Sequence, residues 1–319
     1  MIALIAKRGE RLTNSAAVYS LRMALIVANR GIGWHIIGNP KSLDVRRIVL
    51  QPHLVEQVLQ KMGFSTPPND NLAGLSAIYG RWCRNIPFDN IQKRLFYSGL
   101  AEGPVPGHNS TEFFQQWLAH GTGGTCWANS HAIHDLLEAV GFSVMRVSAT
   151  MLVSPDVVGP THGTVFATVN DRQYLVDGSM QTESPVPVEE GDPERVRHPA
   201  ERVHLELREG HWHVRWHPAH RPDGLWCRIE EVDVPKDQFN KYHERTRSRS
   251  PFNASLYVRI NHPEQTTTIA SGEKVIMKLD EQPVSIPLNE EQRARVLVEE
   301  FGINEELVAS LPADEPLTS

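Results

Sequence analysis

Gly123-Gly124-Thr125-Cys126-Trp127-Ala128-Asn129-Ser130 is the stretch around which the chain is organised. A double-glycine turn delivers one cysteine to the first turn of a predicted helix. Apolar side chains follow at Ile133, Leu136, Leu137 and Val140, three and four apart, and the run stops at Gly141. That spacing predicts an amphipathic helix with a glycine terminator. A thiol at a helix N-terminus feels the positive end of the backbone dipole, which favours the nucleophilic thiolate. Taken alone, the motif also suits a small, inert cysteine packed at a crowded turn.

Working outward toward the N-terminus, Leu54, Val55, Val58, Leu59 and Met62 form a helical face that ends at Gly63, before Pro67-Pro68. Leu72, Leu75, Ile78, Tyr79 and Trp82 form a second face. Ile86-Pro87-Phe88-Asp89-Asn90 ends it, because proline cannot continue a helix. Residues 111–118 predict another short helix, so residues 51–141 form an expected helical domain. Residues 1–50 read as a variable N-terminal extension, partly disordered. The apolar Met23–Ala28 run follows basic residues, but no clear small-residue cleavage site follows it.

Beyond Gly141 the period changes to two. Val144–Leu152, His162–Val169, Gln173–Asp177, Val203–Leu207, Trp212–Trp216 and Leu225–Val234 predict short strands. Tight turns join several of them, which implies a barrel or curled sheet over residues 142–240. Residues 181–202 read as a connecting loop. Lys241–Ser250 reads as a polar, basic connector into a third unit, residues 241–319. There Thr266–Ala270 and Lys274–Leu279 pair across Ser271-Gly272, and Asn289 with Gln292 has the residue types of a capping box. The tail after Leu311 is expected to fray. The fold class is therefore α+β: an N-terminal helical bundle carrying Cys126, an antiparallel β-barrel, and a C-terminal α/β lid.

A cysteine nucleophile needs a base, and the base needs an orienting group. His162 opens a predicted strand whose hairpin partner ends in Asp177. If Val169 pairs with Arg172 around Asn170-Asp171, Asp177 faces Thr164 and His162 is its diagonal neighbour on the same face. Diagonal neighbours lie about 7–8 Å apart at the backbone, within reach of an imidazole–carboxylate hydrogen bond. A slip of one residue would put them on opposite faces. A Cys126-His162-Asp177 triad is the preferred reading.

The 319 residues carry a net charge of -6, which gives no prompt toward nucleic acid. That charge is uneven, about +6 over residues 1–50 and -12 over the rest. No apolar run approaches the ~20 residues needed to cross a bilayer, so no membrane partner is expected. Cys83, Cys126 and Cys227 are odd in number, far apart and without a CxxC pair. That argues against a disulfide framework or zinc site and for a reducing, cytoplasmic setting, with Cys83 and Cys227 as packing residues. His211, His213, His217 and His220 cluster, but no cysteine or acidic group completes a metal site, so none is expected.

These motifs together resemble the arylamine N-acetyltransferase family, from about His53 to Leu307. Ile86-Pro87-Phe88-Asp89-Asn90 is similar to that family's Pro-Phe-Glu-Asn element, and Gly123-Gly124-Thr125-Cys126 to its Arg-Gly-Gly-x-Cys element. His162 and Tyr174-Leu175-Val176-Asp177 match its other two triad elements. Ser250-Pro251-Phe252 and Glu300-Phe301-Gly302-Ile303 also fit. The departures are Thr122 where the family has arginine, Ala128 for its glutamate, Ser130 for its asparagine, and Gly178-Ser179-Met180 for its glycine-rich continuation. In the family that arginine pairs with the acid of the Pro-Phe-Glu-Asn element, so Asp89 would lack its partner.

The resemblance implies a cysteine-protease-like core and acetyl-CoA as co-substrate, with no metal. It implies ping-pong acyl transfer through Cys126 to a small-molecule amine, with His162 as base and Asp177 orienting it. Phe88, Trp127 and Met180 would meet the acceptor, and Gly124, Thr125 and Ser179 the co-substrate. Arg245, Arg247 and Arg249 would meet CoA phosphates, although a solvated loop suits that run better. Three alternatives stand beside it: an amide synthase using another acyl donor, a cysteine hydrolase on the same triad, and a non-catalytic relic of the fold.

Overall fold

A computed structural model describes residues 50–314, apart from residues 100, 101, 194, 220, 222 and 249. The extension expected over residues 1–50 thus lies outside the described residues, Leu50 excepted. The helical part comprises α1 (Pro52–Lys61), α2 (Leu72–Asn85), α3 (Ile91–Ser98), α4 (Ser110–His120) and α5 (Cys126–Val140), with β1 (Phe88–Asp89) between α2 and α3. Asn71 caps α2, its side chain accepting from the Gly74 N–H at 2.9 Å. Ile86, extended before Pro87, ends that helix. Of the face predicted for α2, Leu75, Ile78, Tyr79 and Trp82 are buried, whereas Leu72, in the first turn, is exposed.

Helix α5 departs from its amphipathic reading. All twelve residues from Cys126 to Leu137 are buried, polar Asn129, Ser130, His131, His134 and Asp135 among them. The helix is wedged between the other helices and the sheet, so Ser130 and Asp135 on its polar face find partners inside the protein. Ser130 Oγ donates to the Gly163 carbonyl at 2.6 Å, and Asp135 accepts from Ser110 Oγ at 2.7 Å and from Arg146. Gly163 permits this approach, since a Cβ there would come within 2.6 Å of both Trp127 and Phe239.

The barrel holds β2 (Ser143–Met151), β3 (His162–Val169), β4 (Arg172–Val176), β5 (Val186–Pro187), β6 (Val203–Arg208), β7 (His211–Trp216) and β8 (Leu225–Val232). They lie in the antiparallel order β5-β4-β3-β2-β8-β7-β6. Gly191, just past β5, exchanges hydrogen bonds of 2.8 and 3.0 Å with Leu205 of β6, which nearly closes the sheet. Val147, Phe166, Leu175, Val214 and Cys227 fill the interior, while Val165, Ala167, Val169, Tyr174 and Val176 pack on the helices. Strand β3 is thus buried on both faces. The β3–β4 hairpin has the expected register, Val169 opposite Arg172, with Asn170 and Asp171 both at positive φ. Those are the dihedrals of a type I′ turn, whose twist matches the flanking strands.

The last unit holds β9 (Tyr257–Asn261), β10 (Gln265–Ala270), β11 (Glu273–Lys278), β12 (Val284–Pro287), α7 (Glu290–Glu299) and α8 (Glu305–Ala309). The capping box of α7 forms: Gln292 N donates to Asn289 Oδ1 at 2.8 Å and Asn289 N to Gln292 Oε1 at 2.9 Å. Two expectations need correction, the connector and the tail. The first half of the connector expected over Lys241–Ser250 belongs to a helix, α6 (Lys236–Arg245), because Phe239, Tyr242 and His243 supply a buried face within a polar run. The sheet of this unit takes its edge strand from far upstream, in the order β1-β9-β10-β11-β12. The tail beyond Leu311 is pinned as far as Asp314, which pairs with Arg94 and Arg293 at 2.8 Å each.

Candidate active site

The nucleophile turn is built from β1. Phe88 bridges Gly124 in parallel, and Asp89 N donates to the Gly124 carbonyl at 3.1 Å. The Asp89 carboxylate accepts from Gly123 N at 2.6 Å and from Ile91 N at 2.9 Å. Gly123 is required for this closeness, since a Cβ there would sit 1.9 Å from the Pro87 carbonyl oxygen. Thr125 then occupies the N-cap position and Cys126 opens α5, 8% exposed. Thr122, where the resemblance anticipates arginine, is buried and accepts from Gln92 Nε2 at 3.1 Å. No cation lies within ion-pair distance of Asp89 among the described residues. Burial pushes the Asp89 carboxyl up to about 7 despite its two N–H donors. A cavity of about 20 Å³ lies beside it, lined in part by Gln92, Glu112, Gln116 and Gly123.

The candidate base and acid come from the β3–β4 hairpin. His162 opens β3, Asp177 follows directly on β4, and both are buried. His162 Nε2 lies 2.7 Å from Asp177 Oδ2, and the Cys126 side chain is near enough to the imidazole to favour its charged form. With Nε2 committed to the acid, Nδ1 is the nitrogen left for the thiol. Asp177 Oδ1 accepts from Ser179 N at 2.9 Å, Ser179 Oγ at 2.7 Å and Met180 N at 2.8 Å. Tyr79 fixes the backbone, its hydroxyl donating to the Asp177 carbonyl at 2.7 Å. Burial opposes charge on His162, but the Asp177 carboxylate and the Cys126 sulfur outweigh it and raise the imidazole to about 10. Burial likewise opposes charge on Asp177, yet His162, Ser179 and Met180 bring it down to about 2. This arrangement can hold a proton on the imidazole next to the Cys126 sulfur.

Around the sulfur stand Phe88, Trp127, Val234, Phe239 and Tyr242, with Phe252 and Tyr257 at the edge. Phe88 packs edge-to-face on Phe252 and Tyr257 at 5.2 and 5.5 Å. Trp127 is fully buried behind the sulfur against Phe239, at 4.7 Å. Two anticipated contact residues face elsewhere: Met180 is buried in the barrel core, and the Ser179 hydroxyl is spent on Asp177. Gly124 carries the turn's hydrogen bonds through its carbonyl, which also accepts from Asn129 Nδ2. Phe239, Tyr242 and Tyr257 were not anticipated. The spacing of Phe239 and Tyr242 in an otherwise polar run was the available signal. Lys93 was also missed. It is 4% exposed and donates to Thr246 O and Oγ1 at 3.2 and 3.0 Å; burial lowers its amine to about 8, against the pull of Cys126.

The remaining candidates are occupied. His211, His213 and His217 turn Nδ1 to backbone carbonyls of Ile229, His211 and Arg202, and His220 lies outside the described residues. His134, Asp135 and Glu138 bring ligand-type atoms within 4.8 Å of one another, but Asp135 is already bonded to Arg146 and Ser110. Cys83 and Cys227 are fully buried, and burial pushes both thiols up. Arg245 lies over the Tyr242 ring and Arg247 pairs with Glu244, while Arg249 is outside the described residues. No helix among the described residues is long and apolar enough to cross a membrane.

Comparison with known proteins closes the argument. A family described as N-acetyltransferase matches residues 71–309, most of the chain. The arylamine N-acetyltransferase of Mycolicibacterium smegmatis is 26% identical over 217 residues, covering 55% of this chain and 76% of that protein. The chain belongs to the arylamine N-acetyltransferase family. It is a divergent member and an acyltransferase enzyme. Solved arylamine N-acetyltransferases share the fold. That of Mycobacterium tuberculosis has a TM-score of 0.69 at 18% identity, covering 82% of this chain and 100% of its own. That of Mycobacterium marinum, solved in complex with CoA, has a TM-score of 0.67 at 16% identity, covering 81% and 98%. Their likeness extends across helices, barrel and C-terminal unit, so the α+β architecture is the family's.

Proposed function

We propose that this acyltransferase moves an acetyl or other short acyl group from acetyl-CoA to the nitrogen of an arylamine, hydrazine or related amine. The reaction runs in two half-steps. The Cys126 thiolate attacks the thioester carbonyl; a carbon–sulfur bond to Cys126 forms, the bond to CoA breaks, and His162 gives its proton to the departing thiolate. The amine then attacks acyl-Cys126. The carbon–nitrogen bond forms, the carbon–Cys126 bond breaks, and His162 takes the amine proton. Asp177 holds the ring and supports its charge in both halves. Phe88, Phe252 and Tyr257 offer an aromatic wall to an aryl acceptor.

The observation that carries this reading is the 2.7 Å hydrogen bond from His162 to Asp177, with the same ring against Cys126. Three unpaired, buried cysteines suit the reducing cytoplasm in which acetyl-CoA is available. Intact mass after mixing with acetyl-CoA tests it. An acetyl-sized adduct is expected on the parent chain and none on Cys126→Ala; an unmodified parent chain refutes the covalent step. Thiol release that accelerates on adding an arylamine or hydrazine marks the transferase, and release indifferent to any amine marks a hydrolase.

A further inference from the structure

Beyond the three proposed catalytic residues, the structure holds a buried cation that this chemistry leaves unused. Arg259 sits in the middle of β9, opposite Phe88 of β1, and is 2% exposed. No carboxylate lies within ion-pair distance of it among the described residues. Its Nη1 donates instead to the backbone carbonyls of Met180 at 2.8 Å and Ser179 at 3.4 Å. The same two residues turn their N–H groups onto Asp177 Oδ1. The guanidinium therefore grips the outer side of a loop whose inner side holds the acid. Two residues on along β9, and so on the same face, Asn261 donates to the Gln181 carbonyl at 2.8 Å and continues the grip.

We propose that Arg259 is a positioning residue for the acyl transfer: it aims the Ser179 and Met180 amides at Asp177 and balances the acid's charge. This rests on the reading of Cys126, His162 and Asp177 as the catalytic groups. A thiolate, an imidazolium and a carboxylate sum to one net negative charge, buried between helix and barrel. Lys93 faces this charge from the Cys126 side, and Arg259 from the side of the acid; burying a charge without a counterpart is costly, so an acid without Arg259 would favour its protonated form. The groups whose charge Arg259 feels are Tyr257 on its own strand, Cys83 and Tyr79 on α2, and Asp177. Burial keeps the first three protonated, leaving Asp177 as the anion among them, while Glu183, the next carboxylate along this face, is paired with Arg84 and Asn261. Arg259 also carries the barrel's acid loop on the strand that pairs with β1, from which the Cys126 turn hangs. A single strand pair thus spaces the acid against the nucleophile.

The test is the rate of Cys126 alkylation by iodoacetamide across pH, with thermal melting as a check on folding, in the parent chain, Arg259→Lys and Arg259→Met. In the parent chain, alkylation faster than that of free cysteine is expected. Arg259→Met is expected to move the acidic limb of the profile upward by about one pH unit or more, because the acid now gathers its proton earlier. Arg259→Lys keeps the charge and is expected to restore most of that shift. If Arg259→Met does not melt cooperatively, Arg259→Gln, which retains an amide donor, replaces it. Superimposable profiles for cooperatively folded parent and variant would overturn the role of Arg259. A parent chain whose Cys126 alkylates no faster than free cysteine at any pH would instead overturn the catalytic reading itself.

Discussion

The loop that carries the acid and the turn that carries the sulfur are held in opposite ways. Asp177 accepts three donors on Oδ1 and His162 on Oδ2, and its backbone is tied to Tyr79. The turn that carries Cys126 has one buried carboxyl, Asp89, which accepts two backbone N–H groups and has no cation within ion-pair distance among the described residues. The same residue type is driven down to about 2 in the first setting and up to about 7 in the second. Donors and a nearby cation decide the first; desolvation decides the second. The acid is held by many donors and the turn of the sulfur by few.

The largest effect expected from breaking this contrast is in Asp177→Asn. The amide cannot hold the imidazolium, and turnover with acetyl-CoA and an arylamine should fall by about 10⁴-fold while the fold persists. Next comes Asp89→Ala, which strands the N–H groups of Gly123 and Ile91 inside the protein. Leaving two buried donors unmet should cost about 2–4 kcal/mol in urea unfolding, with activity falling alongside. Thr122→Arg sharpens the comparison from the other side by giving Asp89 the missing cation. It should raise stability at neutral pH by about 1–2 kcal/mol, the burial of the new charge offsetting part of its hydrogen bonds. The smallest expected change is in Ser179→Ala, which removes one of the three donors to Asp177 Oδ1, at about 1 kcal/mol.

The two carboxyls also impose opposite pH slopes. Asp89 holds its proton in the folded state up to about 7 and releases it near 4 when unfolded. Between those values the native state binds more protons, so its contribution to stability declines as pH rises. Asp177, depressed to about 2, contributes stability above its unfolded value and loses it as pH falls through 2. His162, raised to about 10, contributes fully below 6.5 and loses that contribution as pH rises through 10. Urea unfolding of Asp89→Asn between pH 4 and 7 should therefore decline less with pH than the parent chain. Equal slopes would show that Asp89 ionises normally.

What the sequence disclosed follows from how local each interaction is. The I′ turn at Asn170-Asp171 fixes the hairpin register within a few residues, so the placement of His162 beside Asp177 was legible in advance. Helix α5 announced itself through spacing and Gly141, but the burial of its polar face depends also on α6, about a hundred residues further along the chain. Strand β1 is two residues long and pairs with β9, so no periodicity could reveal it. Helix α6 has three buried anchors in ten residues, too few to outweigh its charges on paper. Thr122 shows a different limit. Its departure from the family pattern was visible, but only packing shows that the hydroxyl takes Gln92 and that backbone N–H groups serve Asp89 instead.

The pairing of β1 with β9 has a consequence for biosynthesis. Asn90 and Tyr257, joined at the end of that pair by a 2.9 Å hydrogen bond, are 167 residues apart. A ribosome delivers Cys126, then the barrel, and only afterwards the strand against which the sulfur's turn is braced. The emerging polypeptide therefore carries Cys126 on a turn whose bracing strand arrives only after the barrel has been made.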